Sequence, residues 1–205
     1  METKKESYIY LHKRRTVVAL SVLLLLAIYF FQNASFILRV ITTIFSLSFF
    51  YFIDHFFDLR YKMHHYLIVI LIALVTLILS PLYYLYPNYD KIQHFIIPIL
   101  MSVIIYHMIN KLNLEIKWKI TYTFFVSAGI LGLFEITEFI LDRLFDLKLQ
   151  GVYIRDLAGF EKFNLLQEPL SDTMNDLILG YISSGLYAIT LFIKKRKEAF
   201  PKKVN

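Results

Sequence analysis

Long apolar runs almost free of charge dominate this 205-residue chain, and they decide what it can fold into. A helix needs about 20 such residues to cross the hydrocarbon core of a bilayer. Six segments meet or approach that length: 16–31, 34–53, 66–86, 92–109, 120–141 and 172–193. Only Gln32-Asn33 separates the first two. Merging them through Leu38 would strand a remnant too short to cross, so six spans are preferred. The expectation is an all-α, polytopic membrane helical bundle, a single integral membrane domain over residues 1–205. Hydrophobic residues make up 58% of the chain and charged ones 19%, which excludes a soluble globular enzyme and a disordered protein. With no cysteine, thiol nucleophiles, thiolate metal sites and disulfide scaffolds are excluded too.

Charge placement orients the spans. Cytoplasmic segments of membrane proteins carry excess Lys and Arg. With both termini inside, the inner side holds Lys4, Lys5, Lys13, Arg14, Arg15, Arg60, Lys62, Lys111, Lys117 and Lys119, together with the six basic residues after Ile193. The outer side holds Lys91, Arg143, Lys148, Arg155 and Lys162, while Arg39 lies within the second span. The net charge of +6 is thereby accounted for by topology and anionic lipid, and nucleic acid is not expected as a partner. The basic start followed by an apolar run also describes a signal peptide, but no small-residue cleavage site follows, so retention as a first span is expected. The resulting expectation is a multi-pass membrane protein with both termini on the cytoplasmic side. The longest loop, 142–171, falls outside; it is either a surface loop or a lid folded over the helix ends.

Ionisable residues inside a membrane are costly and mark function by default. Here they gather in one layer. Asp90 and His94 share a face at the start of the fourth span. Glu135, Glu138 and Asp142 share a face at the end of the fifth, and Asp172 and Asp176 open the sixth. All three places lie toward the outer side, and Arg39 reaches a similar depth. Plainer roles exist for several members: Asp172 and Thr173 as helix caps, Arg39 as a snorkelling side chain, His94 as a hydrogen-bonded structural histidine. Glu135 and Glu138 resist such a role, because Glu135 lies about 10 Å deeper than Asp142 at 1.5 Å per residue. The inner-loop residues Asp54, His55, Asp58, His64 and His65 read as a solvated, incidental cluster.

Chemically, Asp90, His94, Asp142 and Asp172 form a donor set suited to Mg²⁺, Ca²⁺ or Mn²⁺. Glu135, Glu138 and Asp176 are the candidates for acid–base work. Arg39, Gln93 and Thr173 are the candidates for holding a substrate, with Arg39 on a phosphate. Three functions are compatible with this layer. One is a metal-dependent enzyme or binder acting on a lipid-linked or amphiphilic substrate. The second is a non-catalytic envelope protein that recognises a partner. The third is an ion-coupled transporter, which is weakened because no charged ladder reaches the inner face.

The motifs Asp90-Lys91-x-x-His94-Phe95, Glu135-x-x-Glu138 with Asp142, and Asp172-Thr173-x-x-Asp176 before Gly180 resemble those of the VanZ-like integral membrane proteins. The resemblance is closer to the related YjdF-like group, because Asp176 stands where the VanZ-like pattern usually has Asn. It covers roughly residues 90–185. What it implies is a bacterial or archaeal inner-membrane helical bundle, with no established reaction for the wider group.

Overall fold

A computed structural model of the chain describes residues 16, 19–21, 36–145, 148–155 and 163–199. The described residues are mostly helical and divide into two compact units, residues 1–80 and 81–205.

In the first unit, α1 spans Phe36–Phe56 and α2 spans Met63–Ala73. The second predicted span thus lies on a helix, whereas most of the first lies outside the described residues. The third departs from expectation. Rather than running unbroken over 66–86, α2 passes into a π turn at Leu74–Ile78, followed by a 3₁₀ segment at Ser80–Tyr84. The cause is local. The Thr76 hydroxyl donates to the Ile72 carbonyl at 2.9 Å, competing with the helical ladder. Pro81 then removes a backbone N–H and disfavours helical geometry at Ser80.

Of the inner-loop residues, His55, Asp58 and His64 are exposed as expected, whereas Asp54 and His65 are held by the packing between α1 and α2. Asp54 accepts the Tyr61 backbone N–H at 3.0 Å and the Tyr66 hydroxyl. The Phe50 ring stacks on Tyr61 and meets Tyr66 edge-on. Burial, reinforced by the Asp54 carboxylate, pushes the Tyr61 phenol above its ordinary pKa and keeps it neutral. His65 is buried and its Nδ1 accepts the Lys62 N–H at 3.1 Å. Asp54 and His65 therefore have structural work, which polar spacing alone did not disclose.

Among the described residues, three helices are long and apolar enough to cross a membrane, all in the second unit: α3 (Tyr89–Asn110), α4 (Ile116–Phe145) and α5 (Pro169–Ala199). They pack against one another as a bundle. Each contains one of the last three predicted spans and extends it at both ends. The turn joining α3 to α4 is closed by Lys119, whose ammonium caps the Asn110 carbonyl at 2.7 Å. Pro169 opens α5, where its missing N–H costs nothing, and Arg196 and Lys197 in the last turn oppose the helix dipole.

The bundle is apolar outside and polar within. Phe125, Leu133, Ile136, Phe139, Ile182 and Ile189 are exposed, while Ser102, Thr123, Ser127, Ser183 and Ser184 are buried. Ser102 and Ser127 share a 2.9 Å hydrogen bond between α3 and α4. Gly180 lets α5 press onto Leu131 of α4, where a Cβ would collide with the leucine side chain. Close approach through small residues, with lipid taking the large apolar ones, is membrane-helix packing.

One part of the second unit is not helical, against the all-α expectation. Between α4 and α5, β1 (Val152–Arg155) pairs antiparallel with β2 (Phe163–Gln167), Tyr153 opposite Leu165 and Ile154 opposite Asn164. Gly151 precedes β1 with φ +91, and a Cβ there would sit 3.0 Å from the Gln167 carbonyl oxygen. That backbone suits glycine alone.

Candidate functional site

The acidic layer is assembled at the end of the bundle that carries the hairpin, where α3 begins, α4 ends and α5 begins. Lys91, one residue after Asp90, reaches across from α3 to α5. Its ammonium donates to Asp172 and, at 2.9 Å, to Asp176; Asp90 lies 3.4 Å away. On the next turn of α3, His94 stands between two carboxylates. Its Nε2 is 3.5 Å from Asp90 and its Nδ1 is 3.6 Å from Glu135 on α4. One ligand atom each from Asp90, His94 and Asp176 fall within 4.8 Å of one another. His94 is 7% exposed, Glu135 4% and Asp176 2%, so this is an interior cluster. His94 Nδ1 and Glu135 Oε1 face each other just beyond hydrogen-bond length, and neither has a hydrogen-bond partner.

The remaining candidates divide in two. Glu138 is half-buried and within electrostatic reach of Glu135, Asp90, Asp176 and Asp172, so it borders the cluster. Gln93 is buried and accepts the Tyr83 hydroxyl. Thr173 accepts from Gln150 Nε2 at 2.9 Å and neighbours Glu135. Asp142, by contrast, is not drawn into the cluster. Its two carboxylate oxygens accept the backbone N–H groups of Leu149 and Gln150, each at 2.8 Å, and so tie down the segment before the hairpin. Asp172 faces both ways, toward Lys91 with one oxygen and toward the Gly151 N–H at 2.9 Å with the other. Arg39 lies on α1 in the first unit, and its side chain is outside the described residues.

The family model described as "Predicted membrane protein (DUF2238)" matches residues 13–197. The chain belongs to the DUF2238 family. It is thereby a member of a predicted membrane protein family, consistent with the three long apolar helices. No curated protein and no solved structure matches this DUF2238 chain.

Lys91 was the residue that reasoning from the sequence passed over, counted only as an outer basic charge. The available signal was its place beside Asp90, at a level where five other carboxylates gather. Gln150 and Gly151 were invisible as site residues, because only the hairpin's fold brings them to Thr173 and Asp172. Chemically, the cluster pairs a mixed oxygen and nitrogen donor set with an internal ammonium. Such a set can hold a cation, share protons, or stay locked by its own lysine.

Proposed function

We propose that this DUF2238 protein binds a divalent cation at Asp90, His94 and Asp176 and uses it on an amphiphilic or lipid-linked substrate. The observation that carries the reading is the convergence of those three side chains beside the buried, unpartnered His94 Nδ1 and Glu135 Oε1. Five carboxylates (Asp90, Glu135, Glu138, Asp172 and Asp176) stand against one lysine and one histidine. Buried charge of that imbalance demands protons or a further cation. An imidazole beside carboxylates favours Mn²⁺ over Mg²⁺ or Ca²⁺. Glu135 is placed to orient the ring from behind, as second carboxylates do at histidine metal sites. Glu138, bordering the cluster and closer to solvent, is the acid–base group in this reading.

The reading includes six spans with both termini cytoplasmic, which sets the cluster and hairpin at the outer surface of a prokaryotic cytoplasmic membrane. The charge asymmetry supports that orientation. Membership of the YjdF-like group also belongs to the proposal, supported by the motifs around Asp90, Glu135 and Asp172.

Titrating metal-free protein in detergent with Mn²⁺, followed by the loss of the free-ion paramagnetic resonance signal, tests it. One ion per chain is expected, with binding lost in Asp176→Asn and His94→Gln. Undiminished binding in both variants would sink the assignment. Lys91 favours a second reading. Its ammonium already spans Asp172 and Asp176, so the cluster can serve as a self-neutralised network that orients three helices. In that case wild-type protein takes up no Mn²⁺.

A further inference from the structure

The acidic cluster contains a positive charge that local structure does not explain. Lys91 lies in the first turn of α3, where the helix dipole disfavours a cation. What it meets is across the bundle. Its ammonium donates to Asp172 and to both oxygens of Asp176, at 2.9 and 3.2 Å, while Asp90 is 3.4 Å away. Two of those three aspartates, Asp90 and Asp176, belong to the set that converges with His94. The ammonium therefore engages carboxylate oxygens that a bound ion would need. A divalent ion on Asp176 would share that carboxylate with it, and two cations so close repel strongly where Asp176 is only 2% exposed.

Asp172 is the aspartate outside that set. One of its oxygens accepts from Lys91 and the other from the Gly151 N–H at 2.9 Å, so a backbone amide anchors it next to the lysine. Lys91 reaches it on a flexible four-carbon stem that is 20% exposed, which gives the ammonium room to move. The charges also divide evenly. Three aspartates balance one ammonium and one divalent ion together, with His94 neutral as a metal ligand must be.

We propose that Lys91 is a tethered internal cation that sets the affinity of the site: an incoming divalent ion takes Asp90, His94 and Asp176, and the ammonium withdraws from Asp176 onto Asp172. Lys91 is a positioning residue in this scheme, acting through the aspartates rather than on the ion. The inference rests on the cation reading and deepens it, by naming the group that the ion must displace and the carboxylate that receives it.

Mn²⁺ titration of the full metal-free chain in detergent, at fixed pH and ionic strength, tests the displacement through the free-ion paramagnetic resonance signal. Wild type, Lys91→Met, Asp172→Asn and the double variant are compared. Lys91→Met is expected to bind about tenfold or more tightly than wild type, the scale of coupling between linked sites. Loss of a purely structural residue would weaken binding instead. Asp172→Asn is expected to weaken binding about tenfold, because the ammonium keeps only Asp176 and Asp90, and to lose most of that effect when Lys91 is also Met. Stationary charges that merely add their fields at the ion change affinity multiplicatively, so a departure of about fivefold or more marks a moving lysine. Lys91→Gln, which keeps a hydrogen-bond donor without the charge, repeats the measurement and is expected to tighten binding as well. Lys91→Arg, which keeps the charge, is expected to bind no tighter than wild type. Circular dichroism confirms that the variants are folded. Affinity at or below wild type in both Lys91→Met and Lys91→Gln overturns the displacement while the cation reading stands. Multiplicative behaviour within about twofold across the four proteins does the same. No Mn²⁺ uptake by wild type or by either uncharged Lys91 variant overturns the cation reading itself, and the displacement with it.

Discussion

Replacing Lys91 by Met removes an ammonium that faces three carboxylates while keeping most of the side-chain volume. The lysine side chain is 20% exposed, so its contacts with Asp172 and Asp176 are shielded from water without being fully desolvated. Removing one partner of a buried ion pair costs ~3–5 kcal/mol because the other charge is left uncompensated. Protonation limits that loss. If one aspartate takes up a proton in the folded variant, the cost at pH 7 for an ordinary carboxyl pKa near 3.9 is ~4 kcal/mol, at about 1.36 kcal/mol per unit. At pH 5.5 the same step costs only ~2 kcal/mol. The deficit relative to wild type therefore shrinks as pH falls, because protons take the place of the lysine. Sodium dodecyl sulfate titration in mixed micelles, read by far-ultraviolet circular dichroism at both pH values, measures the two deficits. Mn²⁺ provides a second arm: if the cluster accepts a divalent ion, adding it restores much of the lost stability at pH 7. A deficit below ~1 kcal/mol, or one unchanged between the two pH values, would refute the claim that Lys91 neutralises the cluster.

Further outcomes follow from other contacts. Asp142→Asn keeps one acceptor oxygen for the Leu149 and Gln150 N–H groups but loses the charge. Hydrogen exchange at those amides is expected to accelerate as ~1–2 kcal/mol of local stability disappears, while exchange within α3 is unaffected. Gly180→Ala places a methyl against Leu131 and is expected to cost ~1–3 kcal/mol in the same titration, with Leu131→Ala in the same chain recovering part of it. Ser102→Ala breaks the hydroxyl pair with Ser127 and is expected to cost only ~0.6 kcal/mol, the average for such bonds between membrane helices.

The long helices were legible because bilayer thickness, not tertiary packing, dictates their length. Runs 92–109, 120–141 and 172–193 fall inside α3, α4 and α5, which extend further because polar residues at the ends continue the helical ladder. The third span misled, since apolar composition does not register the π turn and Pro81 that break it. Helical spacing put Asp90 with His94, and Asp172 with Asp176, on shared faces, and the structure joins all four around Lys91 and Glu135. It did not separate Asp142 from them, because the competing ligands for that carboxylate are backbone N–H groups with no side-chain signature. For the same reason the hairpin was out of reach: its pairing of Tyr153 with Leu165 depends on a partner twelve residues away.

Asp172 divides its two oxygens between an amine on α3 and an amide at the foot of the hairpin. A single carboxylate is thus a shared hinge pin between the bundle interior and the strands outside it. When the lysine that holds one oxygen is rearranged, the grip of the other on Gly151 changes in the same event. The Gly151 amide then works as an external gauge of the interior: its exchange rate reports whether the Lys91–Asp172 contact is intact without any probe entering the membrane.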